Sequence, residues 1–390
     1  MRLLLAFLAL FLVAALPLPG TSSSTLAPDT EARWVPFDLT PGNQIRFDLT
    51  IDGRPAVAIL DTGVSASVVS RAFAANARLR VQPRGSATAI GGAVAIGWTT
   101  THDIAFGGLV RRGGGLTVTS LPASATLSDR PVDMLVGHDL IDGYALDIDY
   151  AASRFRLLPS GRLPFRGASA PLAVSPEQNL YVTQLTLGGR RLQPVVVDTG
   201  DGSSITLSQQ AWRSTRLAPM PMTTTIAYGI GGAQITELAI VDALSVGRLG
   251  AEKVELRIEP NGGFSQSIGA AGRIGSGFLQ RYRVLIDPGA GHIVFSEPTQ
   301  PEAGPLRSTS GILARTEKDR LRVLHVMRGS PAESGGWRSG ETICSIDGTA
   351  IGSSYATSRA AGWSVDRPGR VVALGLCDGV TRRLTLQRFY

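Results

Sequence analysis

Short runs of alternating apolar and polar residues, separated by turn-forming pairs, fill most of the first 300 positions. Residues 45–51 alternate and end at the turn Asp52-Gly53, after which residues 56–60 are apolar. The same order of strand, glycine turn and apolar strand returns over residues 181–197. A period of two is typical of half-buried β-strands. We therefore expect a mainly β protein, with helix confined to short pieces such as residues 70–77.

Four landmarks occur twice in the same order, at offsets of 137 to 140 residues. They are the segments 59–63 and 196–200, the pairs Gly91-Gly92 and Gly231-Gly232, the glycine-ending segments 135–137 and 273–275, and the acidic strands 145–149 and 284–287. Repetition in matched order indicates two copies of one folding unit. The sequence predicts lobe 1 over residues 33–162 and lobe 2 over residues 163–300.

Each copy carries an aspartate at the end of an apolar strand, Asp61 in the first and Asp198 in the second. Two carboxyl groups held about 3 Å apart cannot both ionise cheaply, so they share a proton. One then serves as base and the other as acid toward a water held between them. Asp61 and Asp198 are therefore the predicted catalytic pair, and this chemistry requires neither a metal nor a cofactor.

The residues that follow each aspartate suit the support of two catalytic loops. The hydroxyls of Thr62 and Thr199 can bond to backbone across the interface between the copies. Gly63 and Gly200 permit a close approach of the chain that a side chain would block.

The paired Asp-Thr-Gly triplets, each followed about 76 residues later by an apolar-Gly segment, resemble the pepsin/retropepsin superfamily of aspartic peptidases, in tandem-lobe form. The resemblance covers residues 33–300. It implies a bilobal aspartic protease with two β-barrel lobes, acting as an endopeptidase on polypeptides. It also implies flap hairpins around Gly91-Gly92 and Gly231-Gly232, with Tyr228 beside the second. Because one chain holds both triplets, we expect a monomer.

Two residues depart from that family's pattern. Arg273 stands where an apolar residue is usual, and Asp201 directly follows the second triplet, where a small residue is commoner. A catalytically idle peptide-binding scaffold with a protease-like fold is therefore the alternative function.

Composition changes again after the repeat. Residues 301–309 lie in a stretch rich in proline and turn-forming residues, which predicts a linker. Residues 329–348 carry glycine and strand landmarks that resemble the bacterial type of PDZ domain, over residues 310–390 in all. The resemblance implies a small α+β domain that binds the C-terminus of a peptide, and Ser310, Gly311 and Ile312 are the candidate carboxylate loop.

The first 20 residues read as a secretory signal peptide, because Arg2 precedes an apolar run from 3 to 16 and small residues follow it. We expect a secreted or periplasmic protein, which would contact a membrane only if this segment were left uncleaved. In an oxidising compartment Cys344 and Cys377 could pair, and two free buried thiols are the alternative.

Charge and histidine spacing exclude two further classes. The net charge of +7 comes mostly from arginines that are scattered along the chain, so no nucleic-acid partner is expected. The four histidines lie far apart without the spacing of metal ligands, so no metal site is expected.

Overall fold

A computed structural model describes residues 22–126, 130–161, 165–296 and 304–390. The predicted signal peptide and most of the segment joining the repeat to the C-terminal part lie outside these ranges. The described chain is mainly β, as the alternating pattern predicts. Within the described ranges, no helix is both long and apolar enough to cross a membrane.

The strands fall into three groups along the chain. The first group is β1 (Ser23–Leu26), β2 (Val35–Pro36), β3 (Asp38–Leu39), β4 (Ile45–Ile51), β5 (Arg54–Leu60), β6 (Val68–Ser70), β7 (Gln82–Ala89), β8 (Gly92–Thr100), β9 (Asp103–Phe106), β10 (Leu109–Arg112), β11 (Gly115–Thr119), β12 (Met134–Val136), β13 (Tyr144–Asp149) and β14 (Arg154–Pro159). The second group is β15 (Ala168–Pro171), β16 (Ala173–Val174), β17 (Tyr181–Leu187), β18 (Arg190–Asp198), β19 (Ile205–Leu207), β20 (Thr223–Gly229), β21 (Gly232–Val246), β22 (Leu249–Ile258), β23 (Gly272–Gly275), β24 (Arg283–Asp287) and β25 (His292–Phe295). The third group is β26 (Ile312–Thr316), β27 (Leu321–Val326), β28 (Thr342–Ile346), β29 (Thr349–Ala350), β30 (Val371–Leu376) and β31 (Thr381–Thr385).

The helices are all short. They are α1 (Arg71–Asn76), α2 (Ala123–Thr126), α3 (His138–Ile141), α4 (Gln209–Ser214), α5 (Phe264–Ser267), α6 (Ser276–Leu279) and α7 (Pro331–Ser334), with 3₁₀ turns at Thr30–Ala32, Tyr355–Thr357 and Arg359–Val365. α1 agrees with the helix expected near residues 70–77. α4 was not expected, because six residues are too few to show a period; the side chain of Ser208 caps it at the amide of Ala211.

Two of the sheets repeat one strand order. In the first, β4-β5-β12-β6-β11-β8-β7 are neighbours, and in the second β17-β18-β23-β19-β22-β21-β20 follow the same sequence. The directions also match, because β5 and β12 are parallel as β18 and β23 are, and β6 and β11 are parallel as β19 and β22 are. The central strands of these sheets are apolar and buried.

A third sheet joins the two repeats at their base. Its order is β15-β25-β24-β13-β14-β2, and β13 pairs with β24 in antiparallel register, Leu146 opposite Ile286. The carboxylate of Asp147, which is fully buried, accepts hydrogen bonds from Arg156 and Arg283. Because this sheet draws strands from both repeats, it fixes one against the other.

The long hairpins β7–β8 and β20–β21 meet at their tips. The amide of Gly231 donates to the carbonyl of Ile90 over 3.0 Å, and the backbones of Gly91 and Gly232 approach so closely that a Cβ on Gly91 would collide with Gly232. The tips carry the two Gly-Gly pairs expected to be flaps, and the contact between them was not expected from the sequence.

Strands β26–β31, with α7 and the 3₁₀ turns near residue 360, form what we call the C-terminal module. It has its own core around Trp363 and Trp337, and Cys344 forms a disulfide with Cys377. Its last strand spans residues 381–385.

The C-terminal module packs against the hairpin β20–β21. Leu238 on β21 belongs to one buried cluster with Met327 and Tyr390 of the module. The hydroxyl of Thr224 lies 2.8 Å from Nε2 of His325, and that of Thr223 donates to the carbonyl of Arg328. The module is therefore in direct contact with the second of the two hairpins.

Candidate active site

Asp61 and Asp198 lie next to each other at the interface between the two repeated sheets. Asp61 directly follows β5, and Asp198 is the last residue of β18. The backbone amide of Gly63 donates to Oδ1 of Asp61, and that of Gly200 donates to Oδ1 of Asp198, both over 3.0 Å. These turns hold both carboxyl groups at the ends of rigid strands, which is how a site keeps its geometry without side-chain rearrangement.

The two catalytic loops are tied together by four crossed hydrogen bonds. Oγ1 of Thr62 donates to the carbonyl of Val197 over 2.7 Å, and Oγ1 of Thr199 donates to the carbonyl of Leu60 over 2.7 Å. Each hydroxyl also accepts from the amide of the other threonine over 3.0 Å. Both threonines are fully buried, so these bonds form in a water-poor setting where each counts for more.

Gly63 and Gly200 have no room for a side chain. A Cβ on Gly63 would collide with the carboxyl group of Asp198, and one on Gly200 would collide with that of Asp61. Each glycine therefore faces the aspartate of the other loop. This cross-relationship brings the two carboxyl groups together.

Burial raises the pKa of both acids, and the charge of a neighbouring carboxylate adds to the effect at each. The pKa of Asp61 is raised well above 3.8, chiefly by desolvation and then by the charge of Asp198. Burial, with repulsion from Asp201, raises the pKa of Asp198 to about 6, against the lowering effect of Arg273. Among the described residues a buried cation lies beside Asp198 and none lies beside Asp61, so the local charge favours Asp198 as the ionised member of the pair.

Arg273 makes the two halves of the site electrostatically different. It is buried on β23, and Nε lies 3.4 Å from Oδ2 of Asp198 while also donating to Oδ2 of Asp201 at 3.0 Å. Its Nη1 donates to Glu259 and to Ser265, each over 2.9 Å. Arg273 and Asp201, the two residues that depart from the family's sequence pattern, therefore belong to one buried ion cluster beside the candidate catalytic pair.

Residues from the loop before β4 reach across to the second catalytic loop, and they were not among the residues expected at the site. Nε2 of Gln44 donates to the carbonyl of Gly200 over 2.9 Å, and Nδ2 of Asn43 donates to that of Gly202 over 3.0 Å. Asn43 has a φ of 62°, a left-handed conformation that asparagine tolerates. Only a signal for that turn, Pro-Gly-Asn, is visible in the sequence.

The cleft lies between the carboxyl pair and the hairpin tips. A cavity of about 110 Å³ is lined by Asp61 and Asp198 below and by Ile90 and Tyr228 above. Tyr228, opposite Ala233 in the hairpin β20–β21, is the aromatic side chain expected near this site. The candidate flap residues are thus brought over the candidate catalytic residues.

The candidate carboxylate loop is less favourable than the sequence suggested. The amide of Ser310 donates to the carbonyl of Ser364, that of Gly311 donates to Oγ of Ser308, and that of Ile312 donates to Oγ of Ser310. Ser308, Ser310, Gly311 and Ile312 are buried. A carboxylate could reach these amides only by displacing bonds that the loop already makes, so the loop as it stands is not an open anion site.

Metal ligands were not expected, and no group of three or more His, Cys, Asp or Glu side chains in the described ranges has the arrangement to hold a metal ion. His138 is fully buried and packs edge-on against Tyr181, 4.7 Å between ring centroids, rather than facing the cleft.

Comparison with known proteins bears on the first repeat. Residues 47–140 match a family model described as aspartyl protease. No curated protein matches the chain. The matched segment includes Asp61, the hairpin β7–β8 and β12, which are the parts of the first repeat that form the site. Over residues 47–140, the chain is therefore similar to aspartyl proteases.

Proposed function

We propose that the protein is an aspartic endopeptidase that hydrolyses peptide bonds with a water activated between Asp61 and Asp198. The observation that carries the proposal is the reciprocal geometry of the two loops, in which each threonine bonds across and each glycine abuts the opposite carboxyl group. In this proposal the two sheets of matched strand order are homologous lobes, 33–162 and 163–300, of one bilobal enzyme.

The charges around the pair assign a role to each acid. Asp198, which lies beside Arg273, is ionised and acts as the general base that takes a proton from the water. Asp61 holds the proton of the pair and donates a hydrogen bond to the peptide carbonyl, which becomes more basic as the water attacks. As the water oxygen bonds to the carbonyl carbon, its proton moves to Asp198 and the proton of Asp61 moves to the carbonyl oxygen. Asp198 then gives its proton to the leaving nitrogen and the C–N bond breaks. Asp61 takes a proton back from the resulting carboxylic acid group, so both acids return to their starting states without a covalent intermediate or a metal.

The C-terminal module is proposed to bind extended peptide, in the manner of a PDZ domain. Its edge strand β26 has one side paired with β27, so its other edge can receive a further strand. Since the candidate carboxylate loop is internally bonded, strand addition rather than capture of a terminal carboxylate is the mode that its contacts favour. Export through the segment 1–20 stays a prediction.

The alternative, a catalytically idle peptide-binding scaffold, has one observation in its favour. An arginine in contact with one acid of the pair, here Arg273 with Asp198, is able to hold that carboxylate in an ion pair and so withhold it from the water. The two functions differ in whether peptide bonds are cut.

Digestion of casein from pH 3 to 8, with and without pepstatin, tests the proposal. The natural protein should release fragments, while Asp61→Asn and Asp198→Asn should each lower the rate at least about 100-fold, because each loses its acid or base. Asp48→Asn, on an exposed face of β4, is the matched control and should keep full activity. Binding of casein with no cleavage at any pH would favour the scaffold.

A further inference from the structure

A second cavity opens on the Asp198 side of the cleft. It has a volume of about 180 Å³ and lies beneath the hairpin β20–β21, next to the second catalytic loop. Six charged or polar side chains line part of it: Asp201, Gln234, Thr236, Arg257, Glu259 and Arg273. We call this cavity the polar pocket.

Strand register shows that the first repeat is apolar at two of the corresponding positions. Leu135 is opposite Ile59 in β12–β5, and Arg273 is opposite Val196 in β23–β18, so Leu135 corresponds to Arg273. Position 64, a valine, corresponds to Asp201. Arg257, opposite Thr206, corresponds to Thr117, which is polar but uncharged. Two matched apolar positions and one matched threonine are thus charged in the second repeat.

Most of these charges compensate one another inside the pocket floor. The guanidinium of Arg273 bonds to Asp201, Glu259 and Ser265. Arg273 also faces Asp198, and Arg257 faces Glu255, with Nε to carboxylate distances of 3.4 and 3.5 Å. Both arginines therefore already have carboxylate partners, so a charged side chain entering the pocket would lose its hydration without gaining a free counter-ion, and a neutral polar side chain fits best.

Three buried polar atoms on the wall have no hydrogen-bond partner among the described residues. They are Oε1 of Gln234, Oγ1 of Thr236 and Nε of Arg257, and all three residues line the polar pocket. Nε of Arg257 is nevertheless in an ion pair with Glu255 at 3.5 Å, so Gln234 and Thr236 supply the two groups that have no partner in the described ranges. Only 3% of Thr236 is exposed. An unpaired buried group costs free energy, so a ligand that supplies both a donor and an acceptor would be favoured. A carboxamide offers both.

The other side of the carboxyl pair is apolar. The cavity that contains Asp61 and Asp198 is bordered by Val64 and Leu135 of the first repeat, and by Ile230 and Phe264. The cleft therefore presents an apolar surface on one side of the catalytic pair and a polar one on the other.

We propose that the polar pocket binds an asparagine or glutamine side chain of the substrate, and that an apolar residue occupies the opposite side of the scissile bond. This inference rests on the proposed peptidase function. It deepens that function by naming a substrate class, polypeptides with a carboxamide on the Asp198 side of the cut bond.

Matched peptides test the inference in two assays. The peptides differ at one position at a time and carry glutamine, leucine, glutamate or lysine there. At one position, the natural protein should cleave the glutamine peptide with a kcat/KM at least about tenfold higher than that of the leucine, glutamate or lysine peptide. The reason is that none of these three side chains pairs with both the donors and the acceptors of the pocket. Equal or faster cleavage of the leucine peptide at every position would overturn the inference.

Binding to the Asp61→Asn protein separates the pocket from catalysis. The same glutamine preference should appear in affinity, measured by fluorescence anisotropy without turnover. A preference in binding with no cleavage by the natural protein would defeat the peptidase proposal and leave the pocket standing. Cleavage and binding without any preference would defeat the pocket alone.

Two variants locate the preference. Thr236→Val and Gln234→Leu each remove an unpaired polar atom from the wall, so the ratio of kcat/KM for the glutamine peptide to that for the leucine peptide should fall toward one. Thr223→Val is the matched control, because its buried hydroxyl bonds to the C-terminal module instead. An unchanged preference in both wall variants would contradict the inference.

Discussion

Arg273 lies with its Nε 3.4 Å from Oδ2 of Asp198, so this acid of the candidate pair has a buried cation beside it, while no residue in the described part of the chain places one beside Asp61. At the corresponding position of the first repeat Leu135 offers no charge. Asp198 also has the like charge of Asp201 nearby and the second acid, Asp61, across the loop interface. The pKa of Asp198 thus reflects opposing charges that can be removed one at a time.

The acid limb of the pH–rate profile should report that balance. Asp198 must be ionised to accept a proton from water, so kcat/KM should fall as the pH drops below about 6. Asp201→Asn removes a repelling charge and should move the limb to lower pH. Arg273→Gln removes an attracting charge and should move it to higher pH, each by on the order of one unit.

The two variants are expected to shift the acid limb in opposite directions, which a general loss of folding would not do. Arg273→Gln leaves buried acids without their cation and can lose several kcal/mol of stability. If it does not fold, the direction of the shift in Asp201→Asn is sufficient for the test. Arg283→Gln, which removes a partner of Asp147 far from the cleft, is the control and should leave the limb in place. If Asp201→Asn and Arg273→Gln shifted the acid limb in the same direction, the assignment of Asp198 as the general base would be contradicted.

The free energy of unfolding should carry the same signature. The folded-state pKa of Asp198, about 6, lies above its ordinary value of 3.8, so protonation stabilises the folded state. That stabilisation is complete below pH 3.8 and is lost as the pH rises through 6. The loss is on the order of 3 kcal/mol, and Asp198→Asn should not show it.

Urea unfolding of the natural protein and of Asp198→Asn between pH 4 and 8 measures this difference. The stability of the variant relative to the natural protein should increase with pH. Asp48→Asn should run parallel to the natural protein throughout. If the stability of Asp198→Asn ran parallel to that of the natural protein across this pH range, the carboxyl group of Asp198 would not have a raised pKa in the natural protein.

Gly63→Ala and Gly200→Ala should each abolish activity, because the new methyl group would overlap the carboxyl group of the opposite acid. The expected effect is a loss of at least about 100-fold in kcat, as an acid or base is pushed out of place. Gly250→Ala, where a Cβ meets nothing within 4 Å, is the control and should keep its activity. An active Gly63→Ala protein would mean that the two loops are further apart than the structure has them.

Thr199→Val should weaken the attachment of the two catalytic loops. It removes the bond from Oγ1 to the carbonyl of Leu60 and leaves the amide of Thr62 without its acceptor. Two buried groups lose their partner, which costs roughly 3 kcal/mol. Thr199→Ser keeps the hydroxyl and should recover most of that loss in a urea unfolding experiment. Equal stability of the two variants would argue against the crossed bonds.

The packing of Leu238 against Met327 should couple the hairpin β20–β21 to the C-terminal module. Both residues are almost completely buried in one cluster. In a double-mutant cycle with alanine at both positions, residues in contact give coupling energies of about 0.5–3 kcal/mol. Leu279→Ala paired with Met327→Ala is the control, because Leu279 belongs to the main core and should be additive. Additivity for Leu238 as well would place the module away from the hairpin.

The sequence by itself determined much of the local structure. Period-two alternation placed β4 at residues 45–51 and β17 at residues 181–187 with the bounds that the structure has. It could do so because strand alternation is a local consequence of one buried face. The repeat of Asp-Thr-Gly also singled out Asp61 and Asp198, since each triplet is visible within a few residues.

Only the tertiary structure decided how the two halves of the site differ. Arg273, Glu259 and Asp201 are separated by up to 72 positions, and no local pattern shows that they share one buried ion cluster. The reach of Gln44 to Gly200, and the internal bonding of the loop at Ser310, are likewise invisible along the chain. Hydrogen bonds and ion pairs depend on distances that strand pairing sets after folding, whereas alternation and turns are fixed by neighbouring residues.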